Sequence, residues 1–105
     1  MTGNIQFLEL ADDLFPKILN GEKTNTLRWN EGNIKEGYLT FYKTSNPSVK
    51  CNVLVSSIET APMKDFAHKY NMSSQDLHFE MLRHYPDIKI DSEVSFIEFT
   101  LHETA

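Results

Sequence analysis

The stretch of sequence around which the chain is organised reads Gly21-Glu22-Lys23-Thr24-Asn25-Thr26-Leu27-Arg28-Trp29. It follows a short run, residues 14–19, whose apolar side chains recur at i,i+4 and predict a helix with one apolar face. Gly21 suits the exit from that helix, because glycine adopts the left-handed backbone conformation without a Cβ penalty. The polar alternation that follows predicts a strand over 23–29. Such a strand is typical of a solvated sheet edge, but it also carries a lysine, two threonines and an arginine, which are side chains capable of chemistry. A structural and a functional interpretation are both open at this point.

Composition indicates one folded domain covering residues 1–105. Hydrophobic residues make up 40% and aromatic residues 11% of the chain, which is typical of a globular domain and unlike a disordered one. The formal net charge of −5 argues against tight, non-specific binding of bulk nucleic acid, but it allows a local basic site or a small neutral ligand. The sequence shows no signal-peptide pattern and no long apolar stretch, so we expect a cytoplasmic protein without a membrane span. We also expect a monomer.

The order of predicted elements is strand, helix, several strands, two helices and strand. The predicted strands cover 4–10, 23–29, 38–43, 49–55 and 94–101, and the predicted helices cover 14–19, 62–70 and 73–84. Asp12 or Asp13 is expected to cap the first helix, and Ser73 the third. Without regular strand–helix alternation, this order favours an α+β fold, a small mixed barrel, over a doubly wound parallel sheet. The alternation predicts an apolar interior that includes Leu27, Phe41, Val53, Val55, Ile97 and Phe99.

Most other reactive side chains have ordinary structural explanations. The four histidines lack the spacing of metal ligands and no cysteine pair accompanies them, so we expect no metal site and no cofactor. Cys51 lies in an apolar run and is expected to be a core residue rather than a nucleophile. Some strand aromatics can stack a nucleobase, although aromatics in strands more often belong to the core; these are Trp29, Tyr38, Phe41 and Tyr42.

The pair Lys23 and Thr26 remains as a candidate for chemistry. A hydroxyl is a poor nucleophile until a base removes its proton, and a lysine can be that base if burial lowers its pKa from about 10.4 to about 7–8. Side chains three residues apart on a regular strand point to opposite faces. The two therefore converge only if Lys23 belongs to the turn before the strand or a bulge intervenes, and Gly21 favours the turn.

Residues 15–28 resemble the signature of the ASCH domain family, and within it the bacterial N4-acetylcytidine amidohydrolases. In that group a helix ending in I-L-x-G-x-K-T-x-T is followed by a hydrophobic residue and an arginine, and the resemblance continues through Asn71-Met72, Tyr85-Pro86 and residues 96–99. It implies a PUA-like barrel with a pocket at its mouth for a modified nucleobase. Lys23 and Thr26 would be the base and the nucleophile that act on the acetyl amide.

The resemblance also implies a third catalytic position, which is a glutamate in the group and Tyr70 in this chain. A tyrosine hydroxyl, with a pKa near 10, donates a hydrogen bond but supplies no negative charge. We expect Tyr70 in the same cleft as Lys23 and Thr26. Arg28 and Trp29 are expected to bind the substrate, with Arg28 or backbone N–H groups holding the oxyanion.

Two functions are open on these observations. The first is removal of an acetyl or other acyl group from the exocyclic amine of a cytidine nucleoside. The second is a noncatalytic ASCH module that binds RNA or a modified nucleobase in the same cleft. The acidic composition favours the enzyme on a small substrate, and the loss of the glutamate favours the binding module.

Overall fold

The computed structural model describes residues 6–31 and 33–102. Asn4 and Ile5 of the first predicted strand lie outside the described residues, and so does Gly32. The strands are β1 (Gln6–Leu10), β2 (Asn25–Arg28), β3 (Gly37–Lys43), β4 (Lys50–Pro62) and β5 (Glu93–Leu101). The helices are a 3-10 turn (Asp12–Leu14) that leads into α1 (Phe15–Leu19), a 3-10 helix (Met63–Tyr70) and α2 (Ser74–Leu82). None of these helices combines the length and the apolar character that a membrane crossing requires.

The strands form one mixed sheet in the order β1-β3-β4-β5-β2. β1 runs parallel to β3, with Phe7 opposite Thr40, and β3 pairs antiparallel with β4, with Thr40 opposite Asn52. β3 and β4 therefore form an antiparallel hairpin, and the predicted α+β class is confirmed, with three helical segments among the described residues. β2 lies at an edge of the sheet, as the edge-strand interpretation required.

Two compact units divide the chain, and each has its own core. The first unit takes the described residues of 1–26, 31–58 and 97–105, and the second takes 27–30 and 59–96. The first core consists of Leu8, Leu10, Phe15, Ile18, Leu39, Phe41, Cys51, Val53, Val55, Ile97 and Phe99. The second core consists of Leu27, Met63, Phe66, Ala67, Leu77, Met81, Ile88, Val94 and Phe96. All six predicted interior residues are buried, and Leu27 is the one that belongs to the second core.

β5 supplies residues to both cores because its buried positions change phase. Val94 and Phe96 are buried in the second core, whereas Ile97 and Phe99 are buried in the first. Phe96 and Ile97 are adjacent and both are buried, although neighbouring residues of a regular strand point to opposite faces. A strict period of two, as used for the sequence, includes only one of these faces.

The beginning of the first helix differs from the prediction. Neither Asp12 nor Asp13 caps it, because the N-cap of the 3-10 turn is Ala11 and no side chain caps that turn or α1. Instead, Oδ1 of Asp12 accepts a hydrogen bond from the Ser45 amide at 3.1 Å.

The buried face of α1 also differs from the predicted one. Phe15 and Ile18 are buried, and Leu19 is 51% exposed. Leu14 also packs against the first core, so of the two i,i+4 pairs in residues 14–19 the pair Leu14 and Ile18 lies on the inner face, and the pair Phe15 and Leu19 does not.

The start of α2 agrees with the prediction. Oγ of Ser73 accepts the Asp76 amide hydrogen at 3.1 Å, which is the expected side-chain N-cap. Leu77 and Met81 are buried one turn apart on the inner face of α2. The α-helix ends at Leu82, slightly before the predicted end.

Candidate functional site

Lys23 lies in the turn between α1 and β2, and its backbone is fixed to the end of the helix. The Gly21 amide donates to the Ile18 carbonyl at 3.1 Å, and the Lys23 amide donates to the Lys17 carbonyl at 2.9 Å. Both bonds satisfy carbonyls that a helix C-terminus leaves unpaired. Gly21 has φ +82°, the left-handed conformation predicted for it. Lys23 is therefore outside the regular strand, which is the condition under which its side chain and that of Thr26 can turn to the same side.

A second set of contacts stiffens this turn. Oδ1 of Asn20 accepts the backbone amide hydrogen of Glu22 at 3.0 Å, and Nδ2 of Asn20 donates to Oε1 of Glu22 at 3.2 Å. Such a local side-chain turn replaces hydrogen bonds that the backbone would otherwise seek elsewhere. The side chain that follows, Lys23, is half-buried.

Thr26 is a buried residue on β2, only 6% exposed. The Phe99 amide donates to the Thr24 carbonyl at 2.9 Å, which ties the segment before Thr26 to the neighbouring strand β5. The other buried polar residue among those described, Thr40, donates its hydroxyl to the side-chain oxygen of Asn52 at 2.8 Å. The edge position of β2 is thus correct, but its middle is not the solvated surface of an ordinary edge strand.

Arg28 and Trp29 belong to the second unit and are both half-buried. The indole of Trp29 meets the ring of Tyr85 at a centroid distance of 5.9 Å and an interplanar angle of 83°. Asn30 follows with φ 59°, a left-handed conformation that asparagine tolerates better than most residues. β2 ends at Arg28, and this turn of the chain follows directly after Trp29.

Tyr70 is the last residue of the 3-10 helix Met63–Tyr70. Asn71 adopts the left-handed conformation with φ 55°, and the Asn71 and Met72 amides donate to carbonyls within that helix. The Asn71-Met72 pair of the sequence resemblance is therefore a helix-terminating turn, and it fixes the backbone next to Tyr70. The half-buried Tyr70 ring packs edge-on against Phe96, with centroids 6.1 Å apart.

Phe96 is the centre of an aromatic cluster that the sequence did not single out. It stacks on Phe66 at 5.3 Å and 16°, and Nζ of Lys69 lies 4.9 Å from its ring centroid. A cation at this distance from a ring is attracted by the negative π face. The exposed Lys69, which precedes Tyr70 in the chain, therefore has a defined position over the Phe96 ring.

Among the other side chains considered from the sequence, two are buried and two keep accessible surface. Cys51 is buried in the first core, and so is Phe41, which confirms the structural interpretation of both. Tyr38 is 59% exposed and Tyr42 half-buried, so these two rings keep accessible surface.

The histidines make contacts of other kinds than metal ligation. The ring nitrogen Nε2 of His78 lies 2.9 Å from the Ile88 carbonyl, and the rings of His84 and His102 lie near Tyr85 and Tyr38. In residues 6–31 and 33–102, no three His, Cys, Asp or Glu side chains form a group that could hold a metal ion.

The predicted site residues are divided between the two units. In the first unit, Lys23 and Thr26 lie three positions apart, across the junction of a fixed turn and a strand. In the second unit, Trp29 and Tyr70 both pack against the same core, in contact with Tyr85 and Phe96 respectively. The joint cleft of Tyr70 with Lys23 and Thr26 stays a prediction.

Comparison with known proteins gives structural likeness only. No protein-family model and no curated protein matches the sequence. The crystal structure of hypothetical protein PH0355 has 18% sequence identity and a TM-score of 0.67, over 94% of this chain and 100% of that chain. Protein EF3133 from Enterococcus faecalis V583, of the DUF984 family, has 14% identity and a TM-score of 0.59, over 89% of this chain and 75% of that one.

A third similar structure is that of an ASCH domain. The ASCH domain from Lactobacillus crispatus JV V101 has 12% identity and a TM-score of 0.55, over 91% of this chain and 79% of that chain. At these identities the likeness concerns the fold. Together with the mixed sheet and its three helical segments, it shows that the chain has the small α+β, PUA-like fold of ASCH domains.

Proposed function

We propose that this protein is an amidohydrolase that removes the acetyl group, or a similar acyl group, from the exocyclic amine of N4-acetylcytidine-type nucleosides. The observation that carries the proposal is a buried threonine, Thr26, preceded by a half-buried lysine, Lys23, whose backbone is fixed outside the strand. A neutral nucleoside suits a protein with a formal net charge of −5, because its binding needs no neutralisation of phosphates.

The chemistry assigned to the pair is nucleophilic acyl transfer. Oγ1 of Thr26 attacks the amide carbonyl carbon while Nζ of Lys23 accepts the hydroxyl proton, and the carbonyl oxygen becomes an oxyanion. Collapse of this intermediate breaks the C–N bond, and Lys23 returns the proton to the leaving cytidine amine. Water then attacks the threonine ester in the same manner, which releases acetate and restores the free hydroxyl of Thr26. A lysine serves this cycle only if it is neutral when the hydroxyl attacks.

Substrate binding is assigned to residues that the resemblance and the chemistry select. Arg28 or backbone N–H groups hold the oxyanion in this proposal, and Trp29 supplies an aromatic surface for the base. Tyr70 takes the third catalytic position, where its hydroxyl contacts the substrate or Lys23. No metal or cofactor takes part in the proposed cycle.

A noncatalytic module that binds RNA or a modified nucleobase is the second candidate. It is favoured by the tyrosine at the position where the resembling group has a glutamate, because Tyr70 supplies no negative charge to orient a protonated lysine. It is also favoured by the half-buried aromatic pair Trp29 and Tyr85, since bases stack on such rings without any chemistry.

The two candidates are separated by incubating the protein with N4-acetylcytidine and measuring free cytidine by chromatography. We expect the parent protein to release cytidine and the Thr26→Val variant, which lacks the hydroxyl but keeps the branched shape, to release none above background. Thr40→Val is the matched control, because it removes a buried hydroxyl from the same unit. Loss of activity in both variants, or in neither, would contradict the assignment of Thr26 as the nucleophile.

A second variant tests the base. Lys23→Arg keeps the positive charge but cannot give up a proton at neutral pH, so we expect it to abolish hydrolysis and to spare binding. Lys17→Arg, an exposed lysine of the same unit, is the control and should hydrolyse at the parent rate. If Lys23→Arg is as active as the parent, Lys23 is not the base. If the parent itself binds N4-acetylcytidine without hydrolysing it, the binding module replaces the enzyme.

A further inference from the structure

We infer that Tyr85 is a positioning residue for the substrate base, because it holds the indole of Trp29 in one orientation. This inference rests on the proposed function, in which Trp29 supplies the surface that contacts the nucleoside. Neither the sequence pattern nor the proposed chemistry required a role for Tyr85. The geometry points to it because Trp29 and Tyr85 are the edge-to-face pair of the second unit in which both rings are half-buried.

The Tyr85 backbone is fixed on both sides of its side chain. Its amide donates to the Met81 carbonyl at 2.8 Å, and its carbonyl accepts the Ile88 amide hydrogen at 3.0 Å. Pro86 follows, and a residue before proline is restricted to extended conformations. A tyrosine has few rotatable bonds, so a fixed backbone leaves the ring few orientations in which to meet Trp29.

Trp29 lies where the chain leaves β2 and turns. It is the first residue after β2 and precedes Asn30, whose φ of 59° turns the chain away. A side chain at the end of a strand can choose among rotamers unless a neighbour removes the alternatives. The centroid distance of 5.9 Å and the angle of 83° are the geometry that aromatic pairs prefer, so Tyr85 favours one rotamer of Trp29 within the packing of that indole against the second core.

A preselected indole favours binding of a flat base, because the rotamer is not first ordered by the ligand. Losing the Tyr85 ring should therefore weaken nucleoside binding and leave the later bond-breaking steps unchanged. From the usual strength of an aromatic pair, we expect a weakening of about 2- to 10-fold. A purely structural role would lower the melting temperature without changing the affinity of the molecules that remain folded.

The experiment uses intrinsic fluorescence, since Trp29 is the only tryptophan of the chain. Cytidine, the product, is titrated into the full-length parent and the variants well below the lowest melting temperature. In the parent we expect a saturable change in emission. In Tyr85→Leu we expect the Kd for cytidine and the KM for N4-acetylcytidine to rise by about 2- to 10-fold, with kcat within about twofold of the parent.

Two controls isolate the ring. Tyr85→Phe keeps the aromatic pair and should bind cytidine within about twofold of the parent. Phe79→Leu makes a similar change at a ring that is 69% exposed in the same unit, and it should leave Kd unchanged. If Tyr85→Leu does not fold, Tyr85→Met takes its place, because the flexible methionine side chain fills irregular space.

The outcomes distinguish this inference from the proposed function. Hydrolysis by the parent together with parent-like Kd and KM in the leucine or methionine variant overturns the role of Tyr85 and leaves the enzyme intact. Saturable binding without hydrolysis, weakened in that variant, overturns the enzyme and keeps the role of Tyr85. The role of Tyr85 is also refuted if Tyr85→Phe loses as much affinity as the variant without a ring, or if cytidine gives no saturable change in the parent.

Discussion

Replacing Phe99 by alanine tests which face of β5 is the interior of the first unit. Phe99 is 2% exposed, and its ring meets that of Phe41 at a centroid distance of 5.3 Å and an angle of 62°. Truncating a buried phenylalanine removes about 3–5 kcal/mol from the free energy of unfolding, through lost burial and the cavity left behind. The edge-to-face contact with Phe41 contributes about 0.5–1.5 kcal/mol beyond the buried area, which places our expectation in the upper part of that range.

Denaturant unfolding of the parent, Phe99→Ala and Phe7→Ala provides the assay. Phe7 is the matched control, because it lies in the same unit but is 52% exposed, and its truncation should cost less than about 1 kcal/mol. Equal slopes against denaturant are needed to compare the midpoints, since a changed slope means a changed folded or unfolded state. A loss below about 1 kcal/mol for Phe99→Ala, or similar losses for both variants, would refute the assignment of this face.

Three further predictions concern single side chains. Gly21→Ala should lower the free energy of unfolding by about 1 kcal/mol in a denaturant melt, because φ at this position is +82°. The cost comes from the backbone alone, since an added Cβ would meet nothing within 4 Å. An unchanged free energy of unfolding would argue against the left-handed turn. Hydrogen bonds with the Ser45 side chain and amide, together with the Lys43 charge, lower the Asp12 pKa below 3.8. Ionised Asp12 therefore stabilises the fold above pH 3.8. Asp12→Ala should melt at a lower temperature than Asp13→Ala in that range, and the difference should shrink as the pH falls through the lowered pKa of Asp12. A difference in melting temperature that does not change with pH would contradict this. Tyr70→Glu should hydrolyse N4-acetylcytidine faster than Tyr70→Gln, which loses the same ring packing without gaining a charge, and equal rates would remove Tyr70 from the catalytic position.

Elements defined by local chemistry could be predicted from the sequence. Gly21 marks the helix exit, because the φ it requires is a property of one residue. Ser73 marks the start of α2, because a side-chain cap reaches only to Asp76, three residues on. β3 and β5 begin and end within a residue or two of their predicted bounds, since the alternation of buried residues is a local pattern.

Features that depend on distant residues could not be predicted in this way. Asp12 was a plausible helix cap until the fold placed the Ser45 amide next to it, 33 positions away in the chain. β4 continues to Pro62, well beyond the predicted end at Val55, through a mixed stretch of polar and apolar residues that does not alternate regularly. Ser57 donates its hydroxyl to Oε1 of Glu98 on β5 at 2.8 Å, so cross-strand polar pairing supports the part of β4 that the pattern missed.

The same distinction explains which parts of the candidate site the sequence could identify. Lys23 and Thr26 belong to one continuous stretch, and the turn that separates Lys23 from the regular strand could be derived from Gly21 alone. Tyr85 and Phe96 fall within the sequence resemblance, but their ring contacts with Trp29 and Tyr70 follow only from the packing of the second unit. The backbone of Lys23 is fixed by its own amide on the Lys17 carbonyl, a bond that every substitution except proline can keep. Replacement of the Lys23 side chain therefore leaves this turn in place, and a change in hydrolysis in Lys23→Arg would report on the chemistry of the side chain rather than on the local fold.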